Sequence, residues 1–184
     1  MNTLQLPVGF NLVELDEVDS TNRYAKKLAN SGAMEGTIVL AHQQSAGQGR
    51  QGRQWISKRG NLFVSLILRP NCSPLRALQF SFISALAIRD MILPYLYDPN
   101  SAKLKWPNDV LISGRKVSGI LLESSTPAKG NVDWLVIGIG INLAHHYRAI
   151  ISIMNNFCYR SDVGLFSTAI NYFLTLELFI RNFG

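Results

Sequence analysis

Length, composition and charge bound what this chain can be. Its 184 residues, 47% of them hydrophobic, suffice for one ordinary domain with a full core and are too few for two large domains. The formal net charge of +6 suits an anionic ligand or partner, but it does not favour a nucleic-acid-binding module, because the main basic cluster is a short glycine-spaced loop rather than a long basic stripe.

The first part of the chain predicts strands and a short helix in alternation. Residues 10–18 predict a strand that ends at residues 19–22, DSTN, a polar cluster typical of a helix N-terminus. A short helix follows and stops at Gly32, and residues 37–42 and 62–68 predict two further strands. The first helical turn therefore carries hydroxyl and amide groups on which a ligand with hydrogen-bonding edges can dock.

A long helix and more strands are predicted in the middle of the chain. The helix begins at Ser73 and Pro74 and continues as an apolar stripe to about Pro94. Strands are predicted over residues 104–106, 110–112, 116–122 and 134–143, with a hairpin turn at Ser113-Gly114. Because strands dominate and helices interrupt them only twice, we predict the α+β class, with a mixed β-sheet flanked by helices.

The end of the chain differs in character. Residues 165–180 place apolar side chains on one helical face but are too short and too often polar for a membrane span, which predicts a packed helix. Cys72 and Cys158 have no Cys or His at metal-ligand spacing and predict reduced thiols. No charged segment followed by an apolar one opens the sequence, so we expect a cytoplasmic protein.

The most distinctive segment is residues 45–55, SAGQGRQGRQW. Its glycines allow backbone N–H groups to approach a ligand closely, while Arg50 and Arg53 supply forked cations for phosphate or carboxylate oxygens. The segment does not end in Gly-Lys-Ser/Thr, so it is not a Walker loop. Taken alone, it fits a solvated basic loop as well as it fits a phosphate site.

A second segment combines residues 105–109, KWPND, with residues 115–123, RKVSGILLE. Pro107 ends a strand, which leaves Asp109 at a strand end facing a cleft. A carboxylate there can hold Mg²⁺ or a ribose hydroxyl, and Lys116 can return to the same cleft beyond the hairpin turn. On its own, the segment fits equally a turn with an ordinary salt bridge.

The third segment is residues 138–143, GIGINL. Glycines that alternate within an apolar strand indicate the close approach of a ligand or of another backbone. Asn142 adds an amide that can read a purine or ribose edge. By itself the segment is a weak indication of either.

Together, these segments resemble in order and spacing those of the biotin protein ligases, and the early DSTN cluster fits as well. The resemblance covers roughly residues 14–143. It implies a fold similar to class II aminoacyl-tRNA synthetases and biotin synthetases. It also implies an enzyme that uses ATP and Mg²⁺ to convert biotin to biotinyl-5'-AMP and passes the biotinyl group to a lysine of a biotin carboxyl carrier domain.

The resemblance implies a role for individual residues. The residues implied to bind biotin are Ser20, Thr21, Asn22, Gln44, Gln48, Gly49, Lys116 and Gly119. Those implied to bind ATP are Arg50, Arg53, Trp55, Asn108, Asp109, Lys116 and Asn142, with Trp55 near the adenine. The implied catalytic residues are Lys116, Arg50 and Asp109. No metal ligand is firmly implied, since Mg²⁺ would arrive on the ATP phosphates with Asp109 as the one side-chain candidate.

The implied organisation is a biotin- and ATP-binding catalytic core over residues 1–146, followed by a divergent helical segment over residues 147–184. The family usually continues into a small β-barrel-like domain, which we expect to be incomplete here, and we expect no N-terminal winged helix. The expected protein is therefore a ligase that binds neither nucleic acid nor membrane, with a homodimer as one option.

Three other functions fit parts of the same pattern. Lipoate or octanoate ligases and transferases share the fold but normally lack the Trp106-Pro107 pair and the Gly-Arg-x-Gly-Arg loop. A catalytically impaired remnant that only binds biotin is the second, and the intact Arg50, Asp109 and Lys116 argue against it. A nucleic-acid-binding module rests on charge alone and predicts salt-sensitive DNA binding.

Overall fold

The computed structural model describes residue 6, residues 8–125 and residues 130–143. The predicted helix over residues 165–180 and the divergent segment 147–184 lie outside these described residues. The main elements are β1 (Asn11–Val18), α1 (Thr21–Asn30), β2 (Thr37–Gln44), β3 (Leu62–Leu68), α2 (Pro74–Ala77), α3 (Phe80–Ile92), β4 (Ala102–Lys105), β5 (Asp109–Ile112), β6 (Arg115–Ser125) and β7 (Trp134–Ile141). Short 3-10 turns occur at Arg50–Gly52, Leu93–Tyr95 and Pro99–Ser101.

The described strands form one seven-stranded sheet in the order β1-β2-β3-β7-β6-β5-β4. Strands β1 and β2 run parallel because α1 crosses between them and returns the chain to the same end of the sheet. The other neighbouring pairs are antiparallel. This mixed sheet with flanking helices confirms the predicted α+β class.

The two faces of the sheet carry different apolar clusters. Alternate residues of a strand point to opposite faces, and in β7 Ile137 and Ile139 join the larger cluster together with Ile88 of α3. On the other face, Trp134 and Val136 pack with the alanines of α1. Each large aliphatic side chain buried in this way stabilises the fold by about 1.5–3 kcal/mol.

The long helix predicted from Ser73 to about Pro94 is present as two helices, α2 and α3, joined by Leu78 and Gln79, which keep helical φ and ψ angles. Ser73 caps α2 and Pro74 occupies its first turn, as predicted, but α2 ends at Ala77 and α3 begins only at Phe80. The predicted end near Pro94 falls in a short 3-10 turn.

The division has a local cause in the backbone hydrogen bonds. Gln79 N donates to Arg76 O at 3.0 Å, a bond that spans three residues and tightens the chain between the two helices. Leu75 and Leu78, predicted on the apolar stripe, are 78% and 60% exposed, whereas Ile88 of the same predicted stripe is buried.

The stretch Pro74–Tyr95 is long and apolar enough to cross a membrane by length and composition, with a mean hydropathy of 1.3. Half of its most apolar part is buried inside the structure, as is usual for the core helix of a globular domain. Nearby, Cys72 is a free thiol whose partial burial raises its pKa, in agreement with the predicted reduced thiol. Cys158 lies outside the described residues.

The connection from β4 to β6 also differs slightly from its prediction. The strand predicted over residues 104–106 is shifted to Ala102–Lys105, so that Trp106 lies in the following turn with 77% of its surface exposed. The predicted hairpin turn is present, because Ser113 and Gly114 both adopt positive φ angles of 49° and 77°. Two successive residues of this kind are typical of the turns that join paired strands.

Candidate functional site

A cleft lies on the α1 face of the sheet, bordered by the N-terminus of α1, the glycine-rich loop before β3, and strands β6 and β7. Its open volume, which includes solvent space at the mouth, is about 440 Å³. The described residues that line it are Ser20, Thr21, Asn22, Gln44, Gln48, Gly49, Arg50, Trp55, Asn108, Lys116, Gly119, Ile120, Leu121, Gly138, Ile139 and Gly140.

One wall of the cleft is polar. The Ser20 hydroxyl caps α1 by accepting a hydrogen bond from Arg23 N at 3.5 Å. Thr21 N and Oγ1 donate to Gln44 Oε1 at 2.8 and 3.2 Å, and Gln44 Nε2 donates to the Ser57 hydroxyl at 2.8 Å. The first turn of α1 and the end of β2 therefore present an ordered set of hydrogen-bonding groups to the cleft.

Asn22 also lines the cleft, but its amide is committed to the protein. Its Oδ1 accepts from the Ser65 hydroxyl at 2.6 Å, and its Nδ2 donates to Glu123 Oε2 at 2.9 Å and to Leu121 O at 3.3 Å. Lys26 pairs with the second carboxylate oxygen of Glu123. These bonds fasten the start of α1 to β3 and β6, so Asn22 supports the polar wall, and its predicted contact with biotin stays a prediction.

Glycines of β6 and β7 form the floor of the cleft. A Cβ at Gly138 would overlap Asn22 Oδ1, and a Cβ at Gly140 would lie 2.6 Å from the Trp55 ring. At Gly119 the same ring would be 3.0 Å away. The predicted close approach at the alternating glycines is therefore present, and the groups that approach are side chains of α1 and of the glycine-rich loop.

The glycine-rich loop reverses direction at Gln51 and Gly52, whose φ angles are positive at 57° and 70°. Arg50 reaches across the cleft, where its Nη1 donates to Asn108 Oδ1 at 2.9 Å. Arg53 lies at the exposed tip, with its Nη2 3.4 Å from Gln51 Oε1. Only the first of the two arginines is therefore directed to the cleft.

Lys116 supplies the second cation of the cleft. Its Nζ lies 2.7 Å from Asp109 Oδ1 and 5.1 Å from the centroid of the Trp55 ring. The Lys116 side chain is 40% exposed and that of Asp109 only 18%, so the carboxylate holds the ammonium from the protein side while the cleft side stays open. Trp55 Nε1 is buried without a hydrogen-bond partner among the described residues, as expected for a donor that a ligand or water satisfies.

The acidic residue beside the polar wall, Asp19, is charged near neutral pH. The hydrogen bond from Arg23 holds the pKa of the Asp19 carboxyl below its usual 3.8, against an opposing effect of partial burial. Ser20 N also donates to Asp19 Oδ1 at 2.7 Å and lowers the pKa further.

The structure brings together most of the residues that the sequence singled out. The residues predicted to bind biotin all line the cleft, namely Ser20, Thr21, Asn22, Gln44, Gln48, Gly49, Lys116 and Gly119. Of those predicted to bind ATP, the cleft contains Arg50, Trp55, Asn108 and Lys116. Their individual roles stay predictions.

Three predicted ATP residues are not among the described lining residues. Arg53 points to solvent, and Asp109 meets the cleft only through Lys116. Asn142 follows β7, where its backbone N donates to Val117 O at 2.7 Å. The structure therefore brings the predicted biotin residues closer together than the predicted nucleotide residues.

The described side chains alone do not form a site for a metal ion. Within residues 8–125 and 130–143, no group of three or more His, Cys, Asp or Glu side chains is arranged to hold a metal. Asp109, the one predicted candidate, is already paired with Lys116. Coordination of the predicted Mg²⁺ would therefore have to come mainly from phosphate oxygens of a nucleotide.

The sequence profile of the biotin/lipoate A/B protein ligase family, matched to this chain, covers residues 15–142, more than half of its length. The chain belongs to this family. The matched region includes the whole lining of the cleft, from Ser20 to Gly140.

Curated relatives of this chain are named as ligases. The biotin–(acetyl-CoA-carboxylase) ligase of Paracoccus denitrificans is 47% identical over 130 residues, which are 71% of this chain and 53% of that protein. The bifunctional ligase/repressor BirA of Bacillus subtilis is 40% identical over 137 residues, which are 74% of this chain and 41% of that protein. The chain thus spans about half the length of the curated relatives it matches.

Solved structures confirm the fold. The biotin protein ligase of Aquifex aeolicus in complex with biotin and ATP superposes with a TM-score of 0.68 at 29% identity, covering 90% of this chain and 69% of that one. The ligase of Leishmania major in complex with biotinyl-5-AMP superposes with a TM-score of 0.70 at 27% identity, covering 97% and 81%. The predicted resemblance to biotin protein ligases is therefore confirmed at the level of family and fold.

Proposed function

We propose that this chain forms biotinyl-5'-AMP from biotin and ATP and transfers the biotinyl group to a lysine of a biotin carboxyl carrier domain. The observation that carries the proposal is that Lys116 and Arg50, from separate segments of the chain, meet at one cleft beside a polar wall. The biotin ligase names of the relatives and the biotin and ATP in the related structures support the same reaction.

The polar wall favours biotin over lipoate or octanoate as the acyl substrate. Biotin has a ureido ring with both N–H donors and a carbonyl acceptor, which can pair with groups such as those of Thr21 and Gln44. An aliphatic acyl chain that excluded water would leave unpaired what the wall's own hydrogen bonds leave over, such as the second Gln44 Nε2 hydrogen, at a cost of about 1–3 kcal/mol.

The first chemical step joins two anions. A carboxylate oxygen of biotin attacks the α-phosphorus of ATP, a new P–O bond forms, and the bond to pyrophosphate breaks. Lys116 and Arg50 offset the repulsion and the charge that spreads over the phosphate in the transition state, and Asp109 keeps Lys116 in position. Mg²⁺ carried on the phosphates would supply additional charge neutralisation.

The second step releases AMP. The neutral amine of the acceptor lysine attacks the carbonyl carbon of the mixed anhydride, an amide bond forms, the bond to AMP breaks, and the amine loses a proton to solvent. The mixed anhydride hydrolyses readily, so the glycine-rich loop that carries Arg50 has a protective role when it covers the cleft. The net positive charge of the chain favours an acidic carrier domain as partner.

The test uses the whole 184-residue chain with biotin, ATP and Mg²⁺, with and without a carrier domain, and follows pyrophosphate release and product masses. We expect biotinyl-5'-AMP in both reactions and a biotinylated carrier in the second. Lys116→Ala should slow adenylation by about 100-fold or more. Lys103→Ala, which removes an exposed cation of β4, is the matched control and should leave the rate unchanged. Pyrophosphate release that is the same in both variants contradicts the proposal.

A further inference from the structure

A directed chain of hydrogen bonds joins the polar wall to the glycine-rich loop. Thr21 N donates to Gln44 Oε1 at 2.8 Å, Gln44 Nε2 donates to Ser57 Oγ at 2.8 Å, and the Ser57 hydroxyl donates to Trp55 O at 2.9 Å. Both ends of this chain are backbone groups, and a backbone N–H can only donate whereas a carbonyl can only accept. The direction of every bond between them is therefore determined.

This direction leaves Gln44 with a single amide orientation. Its Oε1 accepts from both the N–H and the hydroxyl of Thr21, which occupies both oxygen lone pairs. Its Nε2 gives one hydrogen to Ser57. Among the contacts of the described residues, the second Nε2 hydrogen is what Gln44 has left for the cleft. A reversed amide would set its NH₂ group against the Thr21 N–H and lose these bonds.

The Ser57 hydroxyl also lies between the two ends of the glycine-rich loop. Ser57 is only 7% exposed, and its carbonyl accepts from Gln44 N at 3.1 Å, which fixes its backbone to β2. Trp55 N donates to Gly47 O at 2.9 Å, and a Cβ at Gly47 would overlap Ser57 Oγ. The hydroxyl is thus packed where the loop leaves the sheet and where it returns.

We propose that Ser57 is a positioning residue, whose hydroxyl sets the orientation of the Gln44 amide in the biotin site and ties that amide to the base of the loop that carries Arg50. The inference rests on the proposed function, because biotin is the ligand that Gln44 meets. A ligand acceptor that engages Gln44 Nε2 is then linked through Ser57 to the carbonyl of Trp55.

The first test needs no ligand. Thr21 is the first residue of α1, so its N–H has no carbonyl partner within the helix, and Gln44 Oε1 supplies that partner. Ser57→Ala removes one of the three hydrogen bonds that hold the Gln44 amide, so the Thr21 amide should exchange its hydrogen about tenfold faster, measured by NMR in the whole chain.

Ser84→Ala provides a matched control for this test. Ser84 is also a buried serine whose hydroxyl donates to a backbone carbonyl, that of Phe80 at 2.6 Å, but it lies in α3 on the opposite face of the sheet. It should leave the Thr21 amide unaffected. Equal exchange of the Thr21 amide in Ser57→Ala and in the wild-type chain overturns the inference.

The second test measures biotin. Ser57→Ala should raise the biotin Kd about tenfold, by titration calorimetry, while the KM for ATP and the kcat at saturating biotin change less than twofold. Ser57→Thr keeps a hydroxyl and should restore most of the affinity. Equal losses in both substrates and in kcat, together with a lowered Tm, would indicate a purely structural role and overturn the inference.

Two further outcomes remain decisive. If Ser57→Ala does not fold, Ser57→Cys takes its place, because it nearly preserves the volume and replaces the hydroxyl with a much weaker donor, and the same shifts are expected. If the wild-type chain does not bind biotin, the proposed function fails, while the exchange of the Thr21 amide still decides whether Ser57 orients Gln44.

Discussion

The two faces of the same seven-stranded sheet are built by opposite means. On the α3 face, strand residues such as Ile137 and Ile139 pack in one buried apolar cluster with residues of the helix α3. On the α1 face, the same strand continues from Val136 to Gly138 and Gly140, where polar side chains of α1 and the Trp55 ring occupy the space that side chains of β7 would fill.

The difference shows that one strand, β7, contributes both to the apolar core and to the floor of the cleft. Because side chains alternate, those at positions 135, 137, 139 and 141 of β7 point into the core, whereas a side chain at position 138 or 140 would point into the cleft. Residues of the two kinds are direct neighbours in the chain, yet one kind packs in the apolar core and the other faces the cleft. This separation can be tested directly.

The largest expected effect is on the apolar face. Ile137 is 1% exposed, so Ile137→Ala leaves a cavity and should lower the free energy of unfolding by about 2–5 kcal/mol, measured by urea denaturation. The biotin Kd of the remaining folded protein should stay the same. A large change in that Kd would show that the two faces are not independent.

A smaller effect is expected at the next residue, Gly138, and it concerns biotin binding rather than stability. Gly138→Ala forces Asn22 away from Ser65 and Glu123, so the polar wall shifts and biotin should bind at least tenfold more weakly in calorimetry. The control is Ile137→Val, which removes one methyl group from the other face, costs about 0.5–1.5 kcal/mol of stability and should leave biotin binding intact. Equal biotin affinity in the two variants would contradict the floor described here.

The smallest effect concerns pH and belongs to the polar face alone. The pKa of Asp19 is lowered mainly by Arg23, so the stability from this pair is present above pH 3.8 and is lost as the pH falls through the lowered pKa. Both side chains are 39% exposed, so solvent screening limits the contribution to less than about 1 kcal/mol. Denaturation of Arg23→Gln should therefore differ from the wild type at neutral pH and converge with it in acid, and a constant difference would argue against this pair.

Much of the fold could be predicted because β-strands leave a simple alternating pattern. The strand over residues 62–68 has the predicted bounds, and the turn at Ser113 and Gly114 follows from residues that tolerate positive φ. The division of the long helix could not be predicted, since the hydrogen bond from Gln79 to Arg76 does not disturb the helical spacing of apolar residues. Periodicity therefore located the helix and missed its interruption.

The candidate site was predictable where the chemistry sits in short segments. The loop of residues 45–55 and the alternating glycines are visible in the sequence, because unusual backbone requirements select unusual residues. Ser57, Ser65 and Glu123 were missed as functional candidates, since each acts on a side chain from another element. Glu123 alone had a signal, as the acidic end of the RKVSGILLE block, while a single serine in a loop or strand has none.

The alternation in β7 constrains how this gene can change. Deleting or inserting one codon within Trp134–Ile141 would slip the register by one residue against both neighbouring strands, placing isoleucines over the cleft and glycines in the hydrophobic interior. Such a one-residue change would thus alter the floor of the cleft and the packing of the core together. We therefore expect β7 to tolerate point substitutions better than changes in its length.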